Sequence, residues 1–193
     1  MTRPTQAERS TVTRAALTNA AIEILIERGW AATTTVAVCD RAGLTRGALV
    51  HHYANLSSLL AHALESLYED FRRPSGRRAS TMAELLDGVW AAVGDRRFKA
   101  VIEAWSAAGN DPALAKELKP AISKWSAVLS PAEGQTSWLP NPGARAFFLA
   151  AREAMLGLAL GRACNGGKPL AQEQMVLTWL RTEAADWDRA PRP

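Results

Sequence analysis

The stretch LTRGALVHHYANLSSLL, residues 44–60, carries side chains that can contact a polyanion. Hydroxyl and guanidinium groups, here those of Thr45 and Arg46, form hydrogen bonds with phosphate oxygens. Gly47 and Ala48 come next, and such small residues let a helix approach base edges closely, while an alanine methyl can also contact a thymine methyl. The stretch therefore predicts a short helix, bare on one side, that enters the major groove of DNA.

Two adjacent histidines, His51 and His52, follow in the same predicted helix. Neighbouring residues point about 100° apart on a helix, whereas two metal ligands on one helical face need a spacing of three or four residues. We therefore expect no metal site, with His51 on the DNA face and His52 partly against the first helix. Both can also be ordinary surface or core residues. Tyr53 should place its ring in the core and its hydroxyl near a phosphate.

The elements that must position these residues follow from caps and apolar spacing. Four N-terminal helices are predicted, from about Thr11 to Arg28, from a Thr33–Thr34 cap to Ala42, from Arg46 to about Tyr53, and from Asn55 to about Phe71. Two short helices joined at Gly43 and Thr45 form a helix-turn-helix, whose second helix points its N-terminal end at the bases. The candidate DNA contacts are then Thr34, Thr35, Thr45, Arg46, Gly47, Ala48, His51 and Tyr53.

The rest of the chain also reads as helical, because it is rich in Ala, Leu, Glu and Arg, and the nearest candidate for a strand in the whole sequence, TTTVAV, is short. Five further helices are predicted, over Thr81–Val93, Arg96–Asn110, Pro112–Leu129, Gly143–Asn165 and Leu170–Trp187. RRPSGRR, residues 72–78, reads as a solvated linker, and residues 130–143 read as a long loop. The prediction is an all-α protein of about nine helices.

Composition limits the possible classes of protein. The 193 residues are 48% hydrophobic and 22% charged, which is enough to form a core, and the net charge of +4 suits a polyanionic partner without identifying one. Cys39 and Cys164 lie far apart, so a reducing compartment is expected, with Cys39 in the core. Residues 1–14 lack the apolar core of a secretory signal, and no run of about 18 apolar residues occurs in the sequence. We expect a soluble cytoplasmic protein that does not enter a membrane.

Enzyme motifs are not evident in the sequence. The segment NGGKP has Pro169 after Lys168, where a phosphate-binding loop needs Ser or Thr, and no strand precedes it. We find no GxSxG elbow and no recognisable pair of carboxylates. The sequence therefore predicts neither an enzyme nor a cofactor.

Residues 33–60, TTTVAVCDRAGLTRGALVHHYANLSSLL, closely resemble the DNA-binding domain of TetR-type transcriptional regulators. The resemblance extends from Thr11 to about Leu64, and it includes ERGW at the end of the first helix, RAG before the turn and GALxHHY in the third helix. It implies an N-terminal three-helix DNA-binding domain, residues 1–55. A connecting helix would join this to an effector-binding and dimerisation domain, residues 56–193.

Two positions depart from the family pattern. The family often has an aromatic residue where this chain has Val50 and a lysine where it has Leu56, and both family residues commonly contact DNA. We expect affinity to rest instead on Arg46, His51, Tyr53, the helix N-termini and an N-terminal arm that carries Arg3, Arg9 and Arg14. The alternative is a small-molecule-binding helical protein with weak or lost operator binding.

The C-terminal part offers a candidate pocket and a candidate interface. Trp90, Trp105 and Trp125 fall on three predicted helices and, with Phe98, Phe147 and Met155, suggest an apolar or aromatic ligand, although any one of them can be plain core. Gly157 and Gly161 allow close helix packing, within the chain or between copies. The resemblance implies a homodimer through the last two long helices, and a repressor that a small effector releases from a palindromic operator. Activation stays open.

Overall fold

The computed structural model describes residues 5–72, 79–129, 139 and 142–189. Over these residues it contains nine α-helices, one 3-10 turn at Trp30–Ala32 and no strand, which confirms the all-α prediction. The helices are α1 Gln6–Arg28, α2 Thr35–Ala42, α3 Arg46–His52, α4 Leu56–Arg72, α5 Met82–Val93, α6 Phe98–Asn110, α7 Pro112–Leu129, α8 Pro142–Cys164 and α9 Glu173–Arg189. Arg3, most of the linker over 72–78 and most of the loop over 130–143 lie outside the described residues.

The chain divides into two compact units. Unit 1 holds the residues up to Asp70 together with Ala100–Lys124, and unit 2 holds Phe71–Lys99 together with the residues from Trp125 onward. The functional boundary predicted between residues 55 and 56 stays a prediction.

In unit 1, α1 packs against α2, α3 and the 3-10 turn. The predicted apolar face of α1 is buried, namely Leu17, Ala21, Ile24 and Leu25. The helix begins at Gln6 and not near Thr11, because Thr5 and Glu8 form a capping box: the Thr5 hydroxyl accepts from the Glu8 main-chain N–H, and the Glu8 carboxylate accepts from that of Thr5. This extra turn consists mainly of polar residues, so apolar spacing in the sequence does not predict it.

The turn between α2 and α3 is fixed by local hydrogen bonds. Gly43 adopts the left-handed conformation at φ 64° and ψ 33°, which favours glycine. Its N–H donates to the Asp40 carbonyl over 3.2 Å, and the Leu44 N–H donates to the Cys39 carbonyl over 3.0 Å. This pair of bonds is a Schellman motif, which ends α2 and turns the chain into α3.

In unit 2, α5 packs against both α8 and α9. The Asp188 carboxylate, near the end of α9, accepts from the main-chain N–H groups of Met82 and Ala83 over 2.6 and 3.2 Å, and so caps the start of α5. Arg162 on α8 forms a bidentate ion pair with Glu173, the first residue of α9, and donates to the Gly94 carbonyl over 2.7 Å. One guanidinium thus ties three helices together.

No helix in the described ranges is both long and apolar enough to cross a membrane.

Candidate nucleic-acid interface

Threonine hydroxyls set the starts of both helices in the helix-turn-helix. The Thr45 side chain accepts from the Ala48 N–H over 3.2 Å and starts α3, as the sequence predicts. The Thr34 side chain accepts from the Ala37 N–H over 3.1 Å and starts α2. Thr33 takes no part in capping, because its buried hydroxyl donates back to the Gly29 carbonyl over 3.0 Å. Each capping hydroxyl keeps its own hydrogen, which remains available to donate to an acceptor.

α3 has one buried side and one exposed side. Leu49 is only 1% exposed, and Leu25 on α1 and Val38 on α2, the two helices that α3 contacts, are also buried. The exposed residues of the cap and helix are Thr45, Arg46, Gly47, Val50 and His51. Ala48 and His52 are half-buried, and Thr35 is half-buried at the start of α2. The structure therefore presents most of the predicted DNA-contacting residues of α3 to solvent.

Gly47 is not required by the packing of its own chain. A Cβ added there would meet nothing closer than the Thr45 hydroxyl oxygen at 3.6 Å, which is an ordinary van der Waals contact. Glycine inside a helix costs roughly 0.5–1 kcal/mol relative to alanine. The described part of the chain thus offers no steric reason for this glycine, and a close approach by an outside partner would supply one.

Tyr53 follows α3 and is buried, with its hydroxyl 3.2 Å from the hydroxyl of Thr18 on α1. Burial raises the pKa of the phenol, while Thr18 and Arg14 act in the opposite direction. The predicted position of the ring in the core is confirmed. The hydroxyl already has a protein partner, so the predicted phosphate contact would use its remaining hydrogen-bonding capacity and stays a prediction.

His62 is a ring neighbour of Tyr53, and the charge of Arg14 acts on both residues. The His62 ring on α4 lies 5.7 Å from the Tyr53 ring. Burial lowers the pKa of His62, the positive charge of Arg14 lowers it further, and Glu65 acts in the opposite direction. The pKa of His52 is also lowered, by burial, His51 and Arg14. His62 carried no recognisable signal in the sequence, because only the packing of α4 brings it to Tyr53.

Comparison with known proteins shows what the helix-turn-helix region is similar to. Residues 17–63 match the sequence model described as "Bacterial regulatory proteins, tetR family". The chain is 31% identical over 129 residues to the HTH-type transcriptional regulator CymR of Pseudomonas putida. Residues 17–63 therefore resemble the DNA-binding domain of TetR-family regulators.

The extent of each similarity differs. The alignment with CymR covers 63% of this chain and 64% of CymR, so it spans less than two thirds of that relative. A transcriptional regulator from Rhodococcus sp. Rha1 has the same fold, with a TM-score of 0.70 at 19% identity over 92% of this chain and 99% of that one. The multidrug binding protein EbrR, solved with imidazole, gives a TM-score of 0.59 at 21% identity over 92% and 96%.

Two of the aromatic residues predicted to line a ligand pocket, Trp125 and Phe147, pack against different partners in unit 2. Trp125 is fully buried and packs edge-on against Phe71 and Phe98, with ring centroids 5.3 and 5.6 Å away. Phe147 stacks on Trp187 at 6.2 Å. These contacts serve the core, and a shared pocket stays a prediction.

The other predicted pocket residues also have differing surroundings. Trp90 lies below the Arg162 guanidinium at 5.1 Å, a cation–π contact. Met155 is buried in α8, whereas Trp105 belongs to unit 1 and is half-buried on α6.

A cavity of about 390 Å³ that the sequence did not predict opens between α1 and α2. It is lined by Ile24, Arg28, Thr34, Val36, Ala37, Asp40 and Arg41.

The two glycines of MLGLALG have different environments. Gly161 faces Leu170 so closely that an added Cβ would lie 2.4 Å from the leucine Cδ1, so this glycine serves packing within the chain. Gly157 is exposed, and an added Cβ would meet nothing within 4 Å. α8 and α9 also carry exposed large apolar side chains, namely Leu149, Leu160, Met175 and Trp179.

The two cysteines lie in different environments. Cys39 is buried in α2, which confirms the core prediction, and burial raises the pKa of its thiol. Cys164 is exposed at the end of α8. Within the described residues no group of three His, Cys, Asp or Glu side chains is arranged to hold a metal ion.

Proposed function

We propose that this chain is a dimeric, sequence-specific DNA-binding transcriptional regulator of the TetR family, most simply a repressor that a small apolar or aromatic effector releases from a palindromic operator. The observation that carries the proposal is the exposed side of α3. There Gly47 leaves the helix bare although its own chain has room for a side chain, and Arg46 and His51 are exposed beside it. A bare helix with polar flanks is what major-groove entry demands.

The caps supply the phosphate contacts in this proposal. Thr34 and Thr45 accept from their own helices, so their hydroxyls donate outward to phosphate oxygens. The main-chain N–H of Thr35 lies in the first turn of α2, where N–H groups lack partners within the helix and favour an anion. Arg46 adds a positive charge next to the Thr45 cap. These contacts position α3 without reading sequence themselves.

The homodimer would form through α8 and α9. Both helices carry exposed large apolar side chains, which supports this interface because burial of such groups against a second copy would be favourable. Trp179→Glu would place a charge in the interface and should convert dimer to monomer in light scattering, whereas Val12→Glu, at an exposed valine of α1, should not. A dimeric Trp179→Glu protein would contradict this interface.

Effector release follows from thermodynamic linkage. A ligand that binds the DNA-incompetent arrangement more tightly lowers the affinity for DNA, and bound DNA lowers the affinity for the ligand by the same factor. In the proposed mechanism the ligand tilts α4 and changes the spacing of the two copies of α3. The structural relative EbrR is described as a multidrug binding protein, and the aromatic content of the C-terminal part of this chain supports an effector of apolar or aromatic character.

Selection of bound DNA from a random pool tests the proposal. The full chain should enrich a palindrome whose half-sites lie about one helical turn apart. Thr45→Ala should alter its preference or affinity. Arg46→Ala should weaken binding to every sequence and reduce the salt slope by about 1. Lys116→Ala, which removes one exposed charge from α7, is the matched control and should leave the DNA affinity and the salt slope unchanged.

The second candidate function is a small-molecule-binding protein with weak or lost operator binding. Val50 favours it, because an exposed valine stands where the family often has an aromatic DNA contact. This candidate predicts that no sequence is enriched from the pool, even at low salt.

A further inference from the structure

Val50 is an exposed apolar residue on the side of α3 that is proposed to face DNA. It is 56% exposed, while the adjacent Leu49 is 1% exposed. The buried leucine and the Thr45 cap fix the rotation of the helix, so the exposure of Val50 is a property of the fold. Burial in the core therefore does not account for a valine at this position.

The position of Val50 relative to Gly47 gives it a place in the proposed interface. At about 100° per residue, Val50 and His51 flank Gly47 on either side, and Leu49 lies on the opposite side of the helix. The bare strip at Gly47 thus has an apolar edge at Val50 and a hydrogen-bonding edge at His51. Close approach at the glycine would bring both side chains to base edges.

Valine can read only one kind of group in the major groove. It has no donor or acceptor, and the apolar group that base pairs display there is the C5 methyl of thymine. A β-branched side chain in a helix also has one strongly preferred χ1 rotamer, so its methyl groups are held in place before binding. Little side-chain freedom is then lost on contact.

We propose that Val50 is a specificity-determining residue that selects a thymine in each operator half-site by contact with its C5 methyl. The inference rests on the proposed function, since it requires α3 to enter the major groove. It also gives a role to the valine that stands where the family often has an aromatic residue: the aromatic contact with DNA is replaced by recognition of a thymine methyl group.

Replacing thymine with deoxyuridine tests the inference, because this removes the methyl and preserves base pairing. Each thymine of the selected operator is replaced in turn, and affinity is measured for the full chain. We expect one position in each half-site where the replacement weakens binding about fourfold, the value of one buried methyl group. Val50→Ala should bind the thymine and uracil operators equally at that position.

Two further variants serve as controls. Val50→Thr keeps one methyl and should retain part of the uracil effect, whereas Val12→Ala, at another exposed valine, should keep the whole effect. Thermal unfolding of Val50→Ala reports whether it folds as the parent does. If Val50→Ala loses as much affinity as the parent protein when the same thymines are replaced by deoxyuridine, the inference is overturned while the proposed function stands. If the full chain enriches no DNA, both are overturned.

Discussion

The main-chain N–H of Trp30 donates a 2.9 Å hydrogen bond to Oε2 of Glu103, which lies 73 residues further along the chain. Trp30 opens the 3-10 turn after α1, and Glu103 lies on α6, within the same compact unit. Gly29 makes room for this carboxylate, since an added Cβ would lie 2.9 Å from the same oxygen. A helix distant in sequence therefore secures the exit from α1, next to the helix-turn-helix.

Loss of this acceptor should destabilise unit 1. Glu103→Ala leaves the half-buried Trp30 N–H without the carboxylate, and we expect the free energy of unfolding to fall by about 1–3 kcal/mol in urea denaturation. Glu103→Gln retains an oxygen acceptor and should lose less. Glu117→Ala, at an exposed glutamate of α7, is the control, and an equal loss there would show that the bond contributes nothing specific.

Gly47→Ala should separate stability from DNA binding. The substitution has room in the chain and improves helix propensity, so we expect a gain of about 0.5 kcal/mol in unfolding free energy. DNA affinity should fall about tenfold, the size of one lost base contact, because the added methyl keeps α3 away from the bases. Unchanged affinity for the selected operator would contradict close approach at this residue.

Gly29→Ala should lower the free energy of unfolding, whereas Gly47→Ala should raise it. Its φ of 77° and ψ of −176° lie in a region restricted to glycine, and the added Cβ would press on Glu103. We expect a loss of about 1–3 kcal/mol in unfolding free energy. A gain at Gly29 like that at Gly47 would refute the described geometry of the α1 exit.

The Arg162–Glu173 ion pair should stabilise unit 2. Glu173 is buried, and Glu173→Gln or Arg162→Met should each cost about 2 kcal/mol, with the double variant losing less than the sum. The hydrogen bonds from Arg162 lower the pKa of Glu173 below 4.5, so this stabilisation is complete above pH 4.5 and is lost as the pH falls through the lowered pKa. Chemical denaturation at pH 7 and at pH 3.5 measures both effects.

An exposed ion pair in the same unit provides the comparison. Arg181 on α9 and Asp87 on α5 are joined at 3.0 Å, and both side chains are about half exposed. Arg181→Met should change stability by no more than about 1 kcal/mol, since solvent screens such pairs. If Arg181→Met lowered the free energy of unfolding as much as Arg162→Met, burial would not explain the difference between the two ion pairs.

His62 should make the fold sensitive to mild acid. Its folded-state pKa is lowered from 6.5, mainly by burial and then by Arg14, so the unfolded chain takes up the proton first as pH falls. Stability should therefore decline as the pH drops below 6.5 and level off below the folded-state pKa. Thermal unfolding between pH 7.5 and 5 should show a shallower decline for His62→Gln.

Arg14→Gln tests the cause of that shift. Removing this positive charge takes away one influence that lowers the pKa of His62 and also of His52, so the decline in acid should become shallower while both histidines remain. A steeper decline would contradict the assigned role of Arg14.

Short-range chemistry explains why the helix-turn-helix could be predicted in detail. Thr34, Thr45 and Asn55 each interact with main-chain groups within three residues, and Gly43 sets its own backbone conformation. The bounds of α2 and α3 and the burial of Cys39 and Leu49 follow from such local rules together with apolar spacing. The start of α1 was misplaced because its first turn is polar and held by a capping box.

By itself the sequence determined the all-helical class, the caps, the turn and the small residues of α3, since each depends on groups a few positions apart. Only the tertiary structure decided that Glu103 binds the Trp30 N–H, that Arg162 ties α8 to Glu173 and Gly94, and that Trp125 packs on Phe71 and Phe98. Such partners lie from about ten to more than 70 residues apart, and many pairings are compatible with the same apolar spacing. The packing of whole helices selects among them, because each contact becomes favourable only when the others are formed.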